Sequence, residues 1–295
     1  MTLPDDIDDV SRLLDARGYV GDEEIATALF LAMRLRRPLL IEGHAGVGKT
    51  EIAKVLAAAL ATTLIRLQCY EGLDAAAALY EWNYAKQILR IRLDEQSGRA
   101  ADETEAHIFD EDYLLERPLL KALRQPQSPV LLIDEIDRAD EEFEAFLLEI
   151  LAEYQVTIPE IGTISAASPP YVVLTSNRVR ELGAALRRRC LYLWIDYPGL
   201  RKELAIVHRR VPGIDAALAT QICRVVEDLR RLDLDKRPGV AETLDWAAAL
   251  LELHIDHLTP EVAAATLGCI AKTRRDLDLV RRDLPDLLAR AQDGT

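Results

Sequence analysis

The stretch from Pro38 to Thr50, PLLIEGHAGVGKT, constrains this chain more than any other. Its first half is a short apolar run ending in Gly43, which reads as a buried parallel strand. The segment after it, TEIAKVLAAALA at 50–61, is alanine-rich and strongly helix-forming. Between them, Gly43 to Thr50 fits the pattern GxxxxGK[ST] at every position. Glycines there let the backbone curl so that successive N–H groups point at phosphate oxygens, and the following helix adds its positive end. The pattern assigns Gly43, His44, Ala45, Gly46, Val47, Gly48, Lys49, Thr50 and Glu51 to a phosphate cradle. Lys49 would reach the β- and γ-phosphates, and the Thr50 hydroxyl would go to Mg²⁺.

Further strands read from β-branched apolar runs: LIRLQCY at 64–70, VLLID at 130–134, YVVLTSN at 171–177 and LYLWI at 191–195. Residues 1–37 read as helical, as do the segments between strands. Five buried strands separated by helices predict an α/β fold, a three-layer αβα sandwich on a mainly parallel five-stranded sheet. After DYPGL only helical segments follow, so a small all-α domain is expected from 199 to 295, with 1–198 forming the sheet domain. Two interruptions of the sheet domain are expected: an aromatic and then acidic insert at 79–112, and a β-hairpin at 155–164.

The second half of a phosphate site should be acidic and lie at the carboxyl end of another buried strand. Val130-Leu131-Leu132-Ile133-Asp134-Glu135 supplies it. Two adjacent carboxylates at the end of an apolar strand are costly to hold unless a cation or ligand meets them. Asp134 would hold Mg²⁺ through water, and Glu135 would orient and deprotonate an attacking water. Asn177, at the end of YVVLTSN, reads either as a turn cap or as a neutral amide between the γ-phosphate and that water.

Composition narrows the partners. Fifty Asp and Glu against 36 Lys and Arg give a net charge of −14, which counts against broad binding to a phosphate backbone and so against nucleic acid as the principal partner. No apolar run approaches the ~20 residues of a membrane span. The acidic start MTLPDDIDDV lacks the basic and then apolar regions of a secretory signal, so a cytoplasmic location is expected. Cys69, Cys190, Cys223 and Cys269 are scattered without metal or redox spacing, and read as reduced thiols.

Together these motifs resemble an AAA+ ATPase, and more narrowly the MoxR family. GHAGVGKT looks like Walker A, VLLIDEID like Walker B, TSN like sensor 1, ALRRRC like the arginine-finger segment, and KRPGVAETLDW like the sensor 2 region of a helical lid. The insert at 79–93 and the hairpin QVTIPEIGTI resemble features of the MoxR branch. RLQCYEGLD and LRRRCLYLWIDYP look most like versions that accompany carbon monoxide dehydrogenase and related metalloenzyme maturation systems. The resemblance implies binding of ATP and Mg²⁺, ATP hydrolysis, and assembly into a homo-oligomer, a hexameric ring in which an arginine enters the neighbour's site. Cys190 stands where many relatives carry Phe, so the three arginines align ambiguously; Arg189 is the first choice for the finger, Arg188 the next, with Arg187 beside them. Three arginines that merely offset the acidic surface are the alternative. Arg237 is the sensor 2 candidate, with Lys236 adjacent.

MoxR relatives imply a chaperone that matures or activates a metalloenzyme client together with a von Willebrand factor A-like partner. A nucleic-acid remodelling or transcription-activating ATPase and a nucleotide-gated scaffold are the readings from other classes. Tyr80, Trp82 and Tyr84 would share one face if LYEWNY is a strand, either lining a pore or packing the insert onto the core. His254 and His257 have a helical i,i+3 spacing that would suit a metal or an exposed role. Trp246 reads as core of the helical domain.

Overall fold

The structure is a computed structural model of the chain and describes residues 3–97 and 107–292. Two helices, α1 (Ile7–Ala16) and α2 (Glu23–Leu35), precede β1 (Leu39–Gly43), α3 (Lys49–Ala59) and β2 (Leu64–Gln68). Then come α4 (Ala75–Leu79), β3 (Tyr80–Trp82), α5 (Tyr84–Ser97), β4 (Leu114–Glu116), α6 (Pro118–Leu123), β5 (Val130–Asp134) and α7 (Glu141–Glu153). The hairpin strands β6 (Gln155–Ile158) and β7 (Gly162–Ser165) lead to β8 (Tyr171–Ser176), α8 (Ala184–Arg189) and β9 (Leu191–Ile195). Beyond β9 the described elements are all helical: α9 (Leu200–Arg210), α10 (Ala216–Leu229), α11 (Val240–Glu252), α12 (Pro260–Thr266) and α13 (Arg274–Gln292).

The main sheet has the order β2-β5-β8-β1-β9, and the pairs β2/β5, β5/β8 and β1/β8 are parallel. Parallel neighbours need crossovers, and helices provide them on both faces. Alternation along the strands divides the core accordingly. Leu40, Leu131, Ile133, Val172 and Leu174 pack on one face with Leu119, Leu120, Phe143 and Leu147. On the other face, Leu39 and Val173 line a small void with Leu29 and Met33 of α2 and Leu56 of α3. The expected αβα sandwich with a parallel five-stranded sheet is what forms.

Packing groups the chain into two compact units. One takes in residues through Val10, Glu23–Glu42 and Ala53–Leu193; the other takes in Ser11–Asp22, Gly43–Ile52 and residues from Trp194 onward. The glycine-rich loop groups with the second unit by its hydrogen bonds. The Gly46 carbonyl accepts the N–H groups of Val240 (2.9 Å) and Ala241 (3.3 Å) at the start of α11, so the loop belongs by contact to the helical unit. A Cβ on Gly239 would sit 2.8 Å from the Gly46 Cα, too close for any side chain. The helical unit has its own core, with Trp246 fully buried and its indole N–H donating to Thr266 Oγ1 at 2.8 Å. It also buries one ion pair: Arg230 donates to both oxygens of Glu203 (2.6 and 2.7 Å), and the Thr243 hydroxyl donates to the same carboxylate. Such a fully satisfied pair fixes where α9, α10 and α11 meet more than it adds stability.

Two local expectations change. LYEWNY is not one strand: β3 stops at Trp82 and Tyr84 opens α5. Trp82 is buried with its ring edge against Phe109, while Tyr84 is exposed, so the three rings do not share a face. The acidic part of the insert lies partly outside the described residues. His254 sits in a turn with φ of 55° after α11 has ended, so the i,i+3 helical spacing with His257 does not form. The hairpin at 155–164 is present, with Gln155 opposite Ser165 and Ile158 opposite Gly162.

Candidate nucleotide site

In the helical unit, the loop from Gly43 to Ile52 carries the residues expected to cradle phosphate. Gly46 (φ 75°) and Gly48 (φ 93°) adopt the left-handed backbone that curls the loop, a conformation open to glycine at little cost. Gly43 is required for space instead, since a Cβ there would lie 2.1 Å from the Ile195 carbonyl oxygen. Lys49 is buried, and its ammonium donates to the carbonyls of Gly43 (2.9 Å) and His44 (2.6 Å). Ala45 is exposed and Val47 buried. Thr50 and Glu51 lie in the first turn of α3, where backbone N–H groups have no helical partner. Glu51 pairs with Arg210 at 3.4 Å, an exposed contact of small energetic weight.

His44 stacks flat on Tyr197, with centroids 4.5 Å apart and planes 5° apart, and meets Trp194 edge-on. Arg230 covers Tyr197 at 4.7 Å. Burial pushes the Tyr197 phenol above its ordinary pKa, against the pull of Arg230 and Arg237. Arg237 is therefore felt at this aromatic cluster, although its side chain and that of Lys236 are exposed. Both backbone N–H groups just before it, of Asp235 and Lys236, are held by the buried Asp276 carboxylate (2.9 and 3.1 Å).

In the sheet unit, Asp134 is 2% exposed at the end of β5. Its Oδ2 accepts from Arg66 Nε (3.0 Å) and Nη2 (2.6 Å). Its Oδ1 accepts from the Thr175 hydroxyl of β8. That hydroxyl in turn accepts the N–H of Glu135 at 3.0 Å. A hydroxyl has one proton, so giving it to Asp134 leaves Thr175 only its lone pairs for Glu135, and the direction of both bonds is fixed. Glu135 occupies the left-handed region (φ 55°, ψ 50°), a cost of about 1–3 kcal/mol for a residue with a side chain. Its carboxylate accepts from Asn177 Nδ2 (3.3 Å) and Gln68 Nε2 (3.2 Å) and pairs with Arg138 (2.8 Å). Asn177 and Val179 both donate their backbone N–H to buried Asp137 (3.1 and 2.8 Å), which fixes the turn after β8.

Asp134, Glu135 and Asn177 thus come together within one unit. Sequence reasoning missed Thr175, Arg66, Gln68 and Asp137. The polar alternation Arg66, Gln68 along β2 was the available signal, because Gln68 stands directly opposite Asp134 in register. Thr175→Val keeps the shape and removes both bonds. It is expected to lower turnover about 10- to 100-fold while Thr175→Ser keeps most of it, as read by steady-state phosphate release, with nucleotide affinity as control.

The three arginines separate by partner. Arg187 pairs with Glu42 at 2.7 Å, and Arg189 donates to the Leu148 carbonyl at 3.2 Å. Arg188 is exposed at the end of α8 and its guanidinium has no hydrogen bond or ion pair among the described residues.

Among the described residues no group of three His, Cys, Asp or Glu side chains could hold a metal alone. Taken singly, the Thr50 hydroxyl and the Asp134 carboxylate are hard oxygen donors of the kind magnesium accepts.

The AAA domain profile of the dynein-related subfamily matches residues 38–190. The chain belongs to that family. Membership in this AAA family implies ATPase activity with nucleotide and magnesium, and an oligomeric habit is typical of it. Over 246 residues, 80% of this chain and 84% of the relative, it is 27% identical to an uncharacterized protein of Staphylococcus haemolyticus. It is 26% identical over 249 residues to the denitrification regulatory protein NirQ of Stutzerimonas stutzeri, covering 81% of this chain and 79% of that one. A variant of RuvB from Thermotoga maritima superposes with a TM-score of 0.51 at 18% identity, over 89% of this chain and 70% of the other, a likeness of fold. No helix among the described residues is long and apolar enough to cross a membrane.

Proposed function

We propose that this AAA domain protein is a Mg²⁺-dependent ATPase of the MoxR type, working as a ring whose subunits complete one another's sites to mature or activate a metalloenzyme, with a von Willebrand factor A-like partner. The observation that carries the hydrolytic part is the Thr175 bridge, which ties Asp134 and Glu135 into one rigid acidic pair with Asn177 on the second carboxylate. A protein that only stores nucleotide has no use for the second, backbone-strained carboxylate.

The loop N–H groups and Lys49 bind the phosphates, with Lys49 exchanging its loop carbonyls for phosphate oxygens. Magnesium, when bound, would supply positive charge to offset that of the phosphates. Thr50 and Asp134 are the residues that would hold it. Glu135 takes a proton from water as the water oxygen attacks the γ-phosphorus, and the bond to the β–γ bridging oxygen breaks, leaving ADP and phosphate. Asn177 fixes the Glu135 carboxylate that receives the proton. Arg188 or Arg189 of a neighbouring subunit steadies the charge on the transferring group, and Arg237 of the helical unit serves the same phosphates.

For the maturation role, support comes from the likeness to a protein named as a denitrification regulator and from the MoxR-like hairpin and insert. The test is co-expression of the chain with a metalloenzyme and a von Willebrand factor A-like protein encoded beside it. Metal content and activity of the client are expected to fall at least severalfold when the chain is omitted or carries Lys49→Ala. A client fully loaded without the chain would end this reading.

A further inference from the structure

Glu42 is a carboxylate in an otherwise apolar strand, 1% exposed at the end of β1. A buried carboxylate is tolerated only when cations and donors satisfy it, and three do. Arg187 Nη2 donates to its Oε1 at 2.7 Å, the Tyr192 hydroxyl donates to its Oε2 at 3.0 Å, and Arg178 Nε lies 3.9 Å from Oε2. The Arg187 guanidinium also lies 6.0 Å from the Tyr192 ring centre. Glu42 and its two arginine partners are each one step from a motif in the chain. Glu42 itself precedes Gly43, Arg178 follows Asn177, and Arg187 precedes Arg188.

The helix that carries the arginines, α8, is only six residues long and has no side-chain cap at its start. So short a helix has little rigidity of its own. Its orientation is set by what it is tied to. Leu186 is buried beneath it, Arg37 donates to the carbonyls of Arg188 and Arg189 (2.9 and 3.0 Å), and Arg187 is drawn inward to Glu42. With the first of three consecutive arginines pinned inward, its neighbours project elsewhere, and Arg188 is the exposed, unengaged one.

We propose that Glu42 is a positioning residue for the trans-acting arginine: through Arg187 it sets α8 so that Arg188 is presented to a neighbouring subunit, and through Arg178 and its own strand it ties that presentation to the segments that meet nucleotide in its own subunit. The inference rests on the reading that the finger acts in trans. Glu42 does its work in the subunit that donates the arginine, not in the one that hydrolyses.

Mixed assemblies test this. A donor subunit carries Glu135→Gln, so it cannot hydrolyse but keeps its arginines. An acceptor carries Arg188→Ala with Arg189→Ala, so it keeps an intact site but has no finger. Mixing the two should restore turnover; if it does not, the trans reading itself fails and this inference with it. If it does, adding Glu42→Gln to the donor should cut the restored rate at least tenfold, while the same change in the acceptor should alter it less than threefold. Arg187→Gln in the donor should match the loss, and the donor with both changes should be no worse than either alone, within twofold. Equal losses from donor and acceptor, or additive losses in the double variant, would overturn the proposal. Affinity of the Glu42→Gln donor for a fluorescent ADP analogue should stay within twofold of its parent, so a loss caused by misfolding shows itself there.

Discussion

Glu135→Gln is expected to keep ATP bound and to slow its hydrolysis by about 10²- to 10⁴-fold, the span that a positioned general base contributes. Gln preserves the length of the side chain and can still accept from Asn177, so the constellation stays in place while the proton acceptor is gone. Its pairing with Arg138 is lost, but that partner is half-exposed and contributes little. The measurement is single-turnover release of labelled phosphate, with retention of unhydrolysed ATP on the protein as the companion signal. Equal rates in the variant and the parent would take hydrolysis out of the mechanism and leave a nucleotide-gated scaffold.

Arg188→Ala is expected to have an effect of comparable size, about 10³-fold or more on turnover, with no change in the affinity of dilute, unassembled protein for ATP. The reason for ranking Arg188 ahead of Arg189 lies in their partners. Arg189 already spends a donor on the Leu148 carbonyl of its own chain, whereas Arg188 is exposed without such a tie. Arg189→Ala should therefore cost less. The rate of the parent should rise with protein concentration as subunits associate, and that of Arg188→Ala should not. A concentration-independent rate in the parent would remove the need for a neighbour.

Much of the architecture was readable from local signals, for a physical reason. GHAGVGKT dictates backbone conformation at Gly46 and Gly48 by itself, and VLLID and YVVLTS are apolar because parallel strands are covered on both faces. What could not be read depends on contacts between distant positions. Thr175 and Asp134 are 41 residues apart, and the shared hydroxyl that aligns the two carboxylates exists only once β8 lies beside β5. Glu42 did leave a trace, a charge inside LLIEG, but only the tertiary structure shows the arginine and tyrosine that satisfy it. The need for glycine at position 239 likewise comes from the approach of Gly46. Tyr84 was misplaced because alternation of aromatic residues looks the same in a strand and across a strand-to-helix junction.

The carbonyl of Gly46 points at the first turn of α11 and takes two of its N–H groups. Such a helix start is in effect tied to one peptide of the glycine-rich loop. A rotation of that peptide would therefore carry the start of the 13-residue helix with it.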